Sequence, residues 1–265
     1  MELWIHLFIF GVTGLLIYLG IFYGVPILLR RGVPLLNAFF MFLWAPVFPL
    51  LPLSLYLYII REGGTIGGVA ERFRFTPIEG RDWIWVGVAI ILTIVFDELF
   101  KPIGKYFAKK RFFAPPEFLP APFNPLKEFT FPPKDFLGTQ LKGNWKLLVV
   151  FIPLHLLAMF SEEIMWRGYM LPLQEGIFGG WAWVFNGFLW AWVVHAVLKW
   201  HFIGMLPGML IAPLIAQHTQ STWASFLTHA VPNSILWVLL LIGVLGVGDK
   251  KNSNNSEDAT SNNVA

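Results

Sequence analysis

Cysteine is absent from the 265 residues, and charged side chains make up only 13% of them. The lack of cysteine excludes disulfides, thiolate metal sites and a cysteine nucleophile. The scarcity of charge excludes a soluble globule, because hydrophobic residues reach 56% and leave too little polar surface to cover one. The net charge is only +3, and no basic cluster argues for nucleic acid as a partner. The chain therefore needs the lipid bilayer as part of its solvent.

The apolar runs are unbroken for about 20 residues, the length of a membrane-spanning helix, whereas spanning strands show shorter alternating segments. The expected fold is all-α: a polytopic transmembrane helix bundle of about seven spans, within a range of roughly six to eight. We expect an integral membrane protein, in the cell membrane if the source is prokaryotic. The predicted spans are residues 3–29, 34–60, 83–100, 147–162, 181–200, 202–216 and 223–247.

The pattern divides the chain into three parts. Residues 1–146 hold the first spans and a long loop rich in proline, phenylalanine and lysine, residues 147–248 form a second helical core, and residues 249–265 read as a disordered tail. Three prolines within the second span predict a broken helix there: Pro46, Pro49 and Pro52. The first span is interpreted as retained, because it is long, carries Glu2 rather than a basic residue before it and lacks a cleavage site.

The distribution of lysine and arginine gives a provisional topology. One side holds Arg30, Arg31, the lysines of residues 101–146, Lys199, Lys250 and Lys251. The other side holds Arg61, Arg72, Arg74, Arg81 and Arg167. The positive-inside rule predicts that the first group is cytoplasmic. This count also puts Glu162 near the outer end of its span.

Ionisable side chains inside apolar spans are costly and are functional hypotheses by default. The segment FSEEIMWRGYMLP contains two adjacent acids and an arginine. On a helix, Glu163 and Arg167 are four residues apart with the acid first, the favoured order for an ion pair. Glu162 then has no local partner and is better suited to exchange a proton with water. If the helix instead ended at Glu162, all three charges would be a cap facing water.

Histidines provide the other polar groups in the spans. His195 lies among valines and alanines, and His229 is followed one helical turn later by Asn233 on the same face. Pro232 removes a backbone donor beside them, which favours a cavity over lipid. His155 lies two turns before Glu162 and is interpreted either as a supporting partner or as a packed polar residue. The remaining histidines, near span ends, are explained by interfacial solvation and receive no role: His6, His201 and His218.

These residues resemble the CAAX-protease and bacteriocin-processing (CPBP, or Abi) family, which includes the type II CAAX prenyl endopeptidases. The first family motif, EExxxR, is matched by Glu162, Glu163 and Arg167, and the third, HxxxN, by His229 and Asn233. The second motif, FxxxH, reads Ala191 to His195, so its phenylalanine is missing, although Trp190 and Trp192 flank the position. The resemblance covers about residues 147–247.

The resemblance implies a glutamate-dependent intramembrane endopeptidase that cleaves membrane-embedded or lipidated peptides. In that mechanism Glu162 and His195 activate a water, His229 and Asn233 stabilise the oxyanion, and Glu163 and Arg167 position the site. No cofactor is then needed. A zinc ion held by Glu162, His195 and His229 is the alternative mechanism, since two histidines and a carboxylate leave a position open for water.

Two other functions stay open at this point. A non-catalytic membrane partner, such as an immunity or secretion-accessory protein of the same fold, is compatible with the altered second motif. A transporter would explain the intramembrane charges and the proline-broken second span, but not the EExxxR spacing.

Overall fold

The structure, a computed structural model, describes residues 3–247, so the predicted disordered tail lies outside the described residues. Within that range the chain is an all-helical bundle, as predicted, and an integral membrane protein. Its main helices are α1 Leu3–Arg30, α2 Leu35–Trp44, α3 Leu50–Arg61, α4 Asp82–Ala108, α5 (residues 145–178), α6 (residues 182–194), α7 Leu206–Thr219 and α8 Thr222–Leu245. A two-stranded hairpin, Asp135–Phe136 with Thr139–Gln140, lies in the long loop.

Within residues 3–247, four helical stretches are long and apolar enough to cross a membrane: Leu3–Arg30, Asp82–Ala108, Trp145–Val194 and Thr222–Leu245. The third of these folds back on itself near Gly179, whose positive φ of 53° ends α5. The predicted second span is broken into α2 and α3 by a turn that contains Pro46 and Pro49, as the prolines indicated. The expectation of about seven spans is thus consistent with the observed helices.

When α2 and α3 are counted as one broken span, the connections between spans fall into two groups, which define two faces of the bundle. The lysine-rich face carries residues 31–34, the loop 109–144 and the end of α8, which are joined where the Gly143 amide donates to the Val244 carbonyl at 2.9 Å. The opposite face carries residues 62–81, 179–181 and 220–221, and there the Thr222 amide donates to the Arg74 carbonyl at 2.9 Å.

Several sequence-based boundaries were wrong. Helix α4 continues beyond Phe100 to Ala108, through Pro102, and α5 continues beyond Glu162 to Phe178. Glu162 therefore lies in the middle of a long helix rather than near its outer end. Arg167 is fully buried and does not belong to a loop on the outer side. His6 is fully buried too, so interfacial solvation does not explain it.

Local chemistry explains where α5 begins and how its centre is shaped. Asn144 caps its start, where its side-chain oxygen accepts from the Leu147 amide at 3.2 Å. After Glu163 the helix widens into a π-helical segment, Ile164–Met170, all of whose side chains are buried. Such wide turns occur frequently at functional sites. Gly168 allows the loop backbone at Phe73 to pack against this segment, because an added Cβ would lie 3.2 Å from the Phe73 carbonyl oxygen.

Candidate active site

The two adjacent glutamates of α5 are both buried and point to different partners. Glu162 is 6% exposed, and its Oε2 accepts a hydrogen bond from the Trp190 indole at 3.2 Å. Glu163 is fully buried, and its Oε1 lies 3.2 Å from Arg167 Nη1 in the predicted ion pair. The reading in which these charges form a water-facing cap is therefore wrong.

Glu163 is held by three side chains from two helices. Besides Arg167, the Ser225 hydroxyl donates to its Oε2, and His229 Nδ1 lies 3.0 Å from its Oε1. Both of these partners come from α8, so the carboxylate joins α5 to α8 at the site. Because a carboxylate accepts, His229 carries its hydrogen on Nδ1, and its Nε2 remains for other contacts.

Arg167 gains its second contact from an aromatic ring. Its guanidinium carbon lies 3.7 Å from the centre of the Trp190 ring, a close cation–π arrangement. Its ion pair with Glu163 is not aligned as a hydrogen bond, and none of the three guanidinium nitrogens of Arg167 has a hydrogen-bond partner among the described residues.

Trp190 is consequently the residue around which the site is arranged. Besides Glu162 and Arg167, it contacts His195 and His229, whose rings stand edge-on to the indole with centroids at 5.3 and 5.0 Å. The tryptophan that flanks the altered second motif thus forms the aromatic wall there, while Ala191 itself is fully buried.

His195 follows the π-helical end of α6 and precedes a 3-10 segment, Ala196–His201. Its Nδ1 lies 3.0 Å from the Trp190 carbonyl oxygen. A carbonyl can only accept, so this contact puts the hydrogen on Nδ1 and leaves a lone pair on Nε2. A fixed tautomer of this kind suits a histidine that accepts a proton or hydrogen bond from water.

His229 and Asn233 lie on one face of α8, as predicted. The Asn233 side-chain amide donates to the His229 carbonyl at 2.9 Å, which uses one of its two N–H groups and leaves the other. Pro232 lies inside this helix. The sequence had also suggested that His155 shares a face with Glu162, and both line the same cavity. His155 accepts a hydrogen bond from the Trp237 indole at 3.0 Å.

A cavity of about 190 Å³ joins these groups, and Glu162, His195, His229 and Asn233 all line it. Its other walls are mainly apolar and come from both halves of the chain. They include Ile17 and Ile21 of α1, Phe39, Phe40 and Trp44 of α2, Leu119 and Phe123 of the long loop, and Trp200. A small polar corner in an apolar pocket is the usual form of a ligand site.

Sequence reasoning missed Ser225 and the central role of Trp190. Ser225 lies one helical turn before His229, so the i, i+4 spacing was a usable signal for its place on the same face. No short-range pattern predicts the aromatic walls from α2, because they approach the site only through tertiary packing.

On the face opposite to the lysine-rich face, Arg72 contacts the helix immediately after the EExxxR motif, residues 162–167. Arg72 pairs with Glu62 at 2.9 Å, and its other guanidinium nitrogen donates to the Gly168 carbonyl at 3.3 Å. Burial alone would raise the pKa of Glu62, but the hydrogen bonds and charge of Arg72 outweigh it and hold that pKa below its ordinary value. The loop is thereby fixed against the helix that carries both glutamates.

A metal ion at this site would require donor atoms that other residues do not already occupy. Within residues 3–247 no group of three or more histidine or acidic side chains is arranged to hold one. His229 Nδ1 and Glu163 already contact each other, and His195 Nδ1 contacts a carbonyl, so only the two Nε2 atoms and Glu162 remain as candidate donors.

Residues 144–235 match the family model described as Type II CAAX prenyl endopeptidase Rce1-like. This match contains all three motifs and confirms the resemblance to the CAAX-protease family. No curated protein and no solved structure matches the chain. The matched residues 144–235 are therefore similar to a family of CAAX-type endopeptidases.

Proposed function

We propose that this chain, whose residues 144–235 match the family model described as Type II CAAX prenyl endopeptidase Rce1-like, hydrolyses a peptide bond of a membrane-associated or lipidated, CAAX-like protein substrate. The observation that carries this proposal is the single cavity onto which Glu162, His195, His229 and Asn233 converge. Its apolar walls suit a lipid-bearing peptide, and its polar corner suits the reacting bond.

In the proposed first step, a water attacks the scissile carbonyl carbon and gives its proton to Glu162. Trp190 occupies one oxygen of that carboxylate, which leaves the other for the water. The lone pair on His195 Nε2 orients the same water by accepting its second hydrogen. A positioned base of this kind is typically worth about 10²–10⁴ in rate.

The attack puts negative charge on the former carbonyl oxygen, which needs donors in a place with little water. The second N–H of Asn233 is one such donor. His229 is the other if it is protonated on both nitrogens, with Nδ1 donating to Glu163 and Nε2 to the oxyanion. When the C–N bond breaks, Glu162 returns its proton to the leaving amine, so the products are an amine and a carboxylic acid, which loses its proton to water after release.

We propose that the reaction needs no resident metal ion. Nδ1 of His229 contacts Glu163, and Nδ1 of His195 contacts the Trp190 carbonyl, so both contacts orient the imidazole rings. In the proposed mechanism Glu162 is the base and Asn233 and His229 are the donors, so no step requires a metal ion. The zinc alternative assigns Glu162, His195 and His229 as ligands and predicts that a chelator abolishes cleavage.

We infer that substrates reach the cavity from the lysine-rich face. Leu119 and Phe123 of the loop 109–144 line it, and so does Trp200, in the segment that leads from α6 to α7. With the positive-inside rule, this face is cytoplasmic. The charge count had put Glu162 near the outer end of its span, which would be unfavourable for processing of cytosolic substrates. Its central position in α5 is compatible with a site that opens to the cytoplasmic face.

The test is cleavage of prenylated and unprenylated CAAX peptides by the detergent-purified protein. We expect Glu162→Gln and His195→Gln each to lower kcat at least about 100-fold. His218→Gln is the matched control and should keep activity, because His218 contacts Trp85 and does not line the cavity. Activity that survives a chelator supports the metal-free mechanism.

If the folded wild-type protein cleaves no peptide, and the folded variants support growth or any other cellular function of the protein as well as the wild type does, the endopeptidase proposal is wrong. The non-catalytic membrane partner is then the better description. Loss of cleavage in all variants, His218→Gln included, would instead indicate that the assay reports folding.

A further inference from the structure

A second cavity, of about 390 Å³, lies next to the candidate active site but does not share its catalytic groups. Its walls are mostly aromatic and come from α1, the start of the long loop, the end of α6 and the segment after it. They include Tyr18, Phe112, Phe113, Trp192 and Phe202. Trp192 is 47% exposed and Phe112 is 73% exposed, so the cavity adjoins the lipid-facing surface of the bundle.

Lys199 is the one charged side chain in the lining of this cavity. Its ammonium nitrogen lies 4.6 Å from the ring centre of Phe22 and 5.2 Å from that of Phe112, and 3.5 Å from the Tyr18 hydroxyl. No acidic residue within the described part of the chain forms an ion pair with it. A lysine inside a membrane protein usually has a counter-charge or a function, because its burial is costly.

The surroundings put Lys199 near the headgroup level of the lysine-rich face. Phe112 follows three exposed basic residues in the sequence KKRFF, residues 109–113. Nearby, His201 contacts Asp97 of α4 at 3.2 Å, and an ionisable pair of this kind is expected at the headgroup level rather than in the hydrocarbon. Basic clusters beside a spanning helix and basic pockets between helices are typical sites for anionic lipids.

We propose that this cavity binds one anionic phospholipid, whose phosphate pairs with Lys199 and whose acyl chain lies among Phe112, Phe113 and Trp192. The apolar walls distinguish this ligand from a free phosphate ion, which would gain nothing from them. The unneutralised ammonium distinguishes it from a neutral lipid. The volume is in the range of ordinary ligand pockets, about 300–1,000 Å³.

A lipid bound in this cavity would also influence the candidate active site through the segment that carries His195. Ala191 and Ala196 line this cavity, and they lie on either side of His195 in the chain. A lipid in the cavity therefore packs against the segment that fixes the orientation of His195. This consequence rests on the proposed peptidase function, whereas the binding site does not.

The test measures lipid binding by the full chain in detergent micelles, by native mass spectrometry and thermal unfolding. We expect one molecule of phosphatidylglycerol to be retained and to raise the Tm, while phosphatidylcholine with the same acyl chains and inorganic phosphate have no such effect. Lys199→Met should weaken phosphatidylglycerol binding about tenfold or more, because a charge-assisted contact is lost. Lys199→Arg should keep it, and Lys134→Met, an exposed lysine of the same face, should change it little.

Equal retention of the two phospholipids, or unchanged binding by Lys199→Met, would overturn the proposal. So would binding of inorganic phosphate alone, or stoichiometric displacement of the lipid by a prenylated peptide, which would make the cavity a substrate site. In vesicles, phosphatidylglycerol should also raise peptide cleavage relative to phosphatidylcholine. Selective lipid binding in a protein that cleaves nothing would retain the lipid site and refute the peptidase proposal alone.

Discussion

Trp190 links the groups of the candidate active site through different parts of one side chain and its backbone. The indole N–H holds Glu162, the ring face stacks on Arg167, and the carbonyl fixes His195. Each contact is individually modest, but together they determine where the base, the cation and the imidazole lie. The missing phenylalanine of the second motif is thus compensated by the residue before it, which faces the site because α6 ends in a π-helical turn.

Trp190→Phe should lower kcat about 10–100-fold, because it keeps the aromatic ring but leaves Glu162 without its orienting donor. The matched control is Trp85→Phe, because Trp85 contacts His218 and lines neither cavity. Steady-state cleavage rates of both variants decide the matter. Equal losses in the two would show that Trp190 acts through general packing only.

The buried ion pair of Glu163 and Arg167 should matter for stability as well as for the site. Arg167→Met leaves the Glu163 carboxylate buried without its cation, which typically costs about 3–5 kcal/mol. Lys101→Met breaks an exposed pair with Glu98 and should cost at most about 1 kcal/mol. Chemical unfolding of the two variants in the same detergent measures the difference. A small loss for Arg167→Met would mean that its stacking and charge do not hold α5 and α8 together.

Among the elements, α5 was predicted least accurately, for a physical reason. Hydropathy drops at Glu162, Glu163 and Arg167, so the pattern predicts the end of a span there. The charges are tolerated because His229, Ser225 and Trp190 pair with them, and all three partners lie at least 23 residues further along the chain. The i, i+4 ion pair within the helix was predictable from the sequence, and the tertiary partners were not.

The packing of α1 against the end of α6 gives a test at the level of elements. Gly14 lies so close to α6 that an added Cβ would be 2.0 Å from the Val193 carbonyl oxygen. Gly14→Ala must therefore separate the two helices, at a cost of about 1–3 kcal/mol, and should displace the adjacent His195 and lower activity. Gly11→Ala is the matched control, since nothing lies within 4 Å of its added Cβ, and should be neutral or slightly stabilising.

Thermal unfolding and steady-state cleavage measure the two effects. Gly14→Ala should have both a lower Tm and a lower cleavage rate than Gly11→Ala. If Gly14→Ala unfolds like the wild type and cleaves normally, the close approach of α1 and α6 is not required for the site. The contact was not predictable, because a glycine in an apolar helix gives no sign of which neighbour it faces.

For the whole molecule, the cavity depends on both halves of the chain. The three motifs that define the family lie within residues 144–235, but α1, α2 and the long loop supply much of the apolar wall. The sequence indicated the polar corner, since its residues recur at helical spacing. It could not indicate the wall, since Trp44 and His155 meet only in the folded bundle.

The orientation of the molecule decides which substrates the site can meet, and the absence of cysteine makes it directly measurable. Single cysteines can be introduced at Ile66 on the opposite face, which is 84% exposed, and at Leu126 on the lysine-rich face, which is 43% exposed. With the lysine-rich face in the cytoplasm, a membrane-impermeant maleimide should label Ile66→Cys in intact cells and Leu126→Cys only after permeabilisation. The reverse pattern would place the loop 109–144 and the cavity beside it outside the cell. Processing of cytosolic lipidated proteins would then be excluded, and an extracytoplasmic membrane substrate would follow.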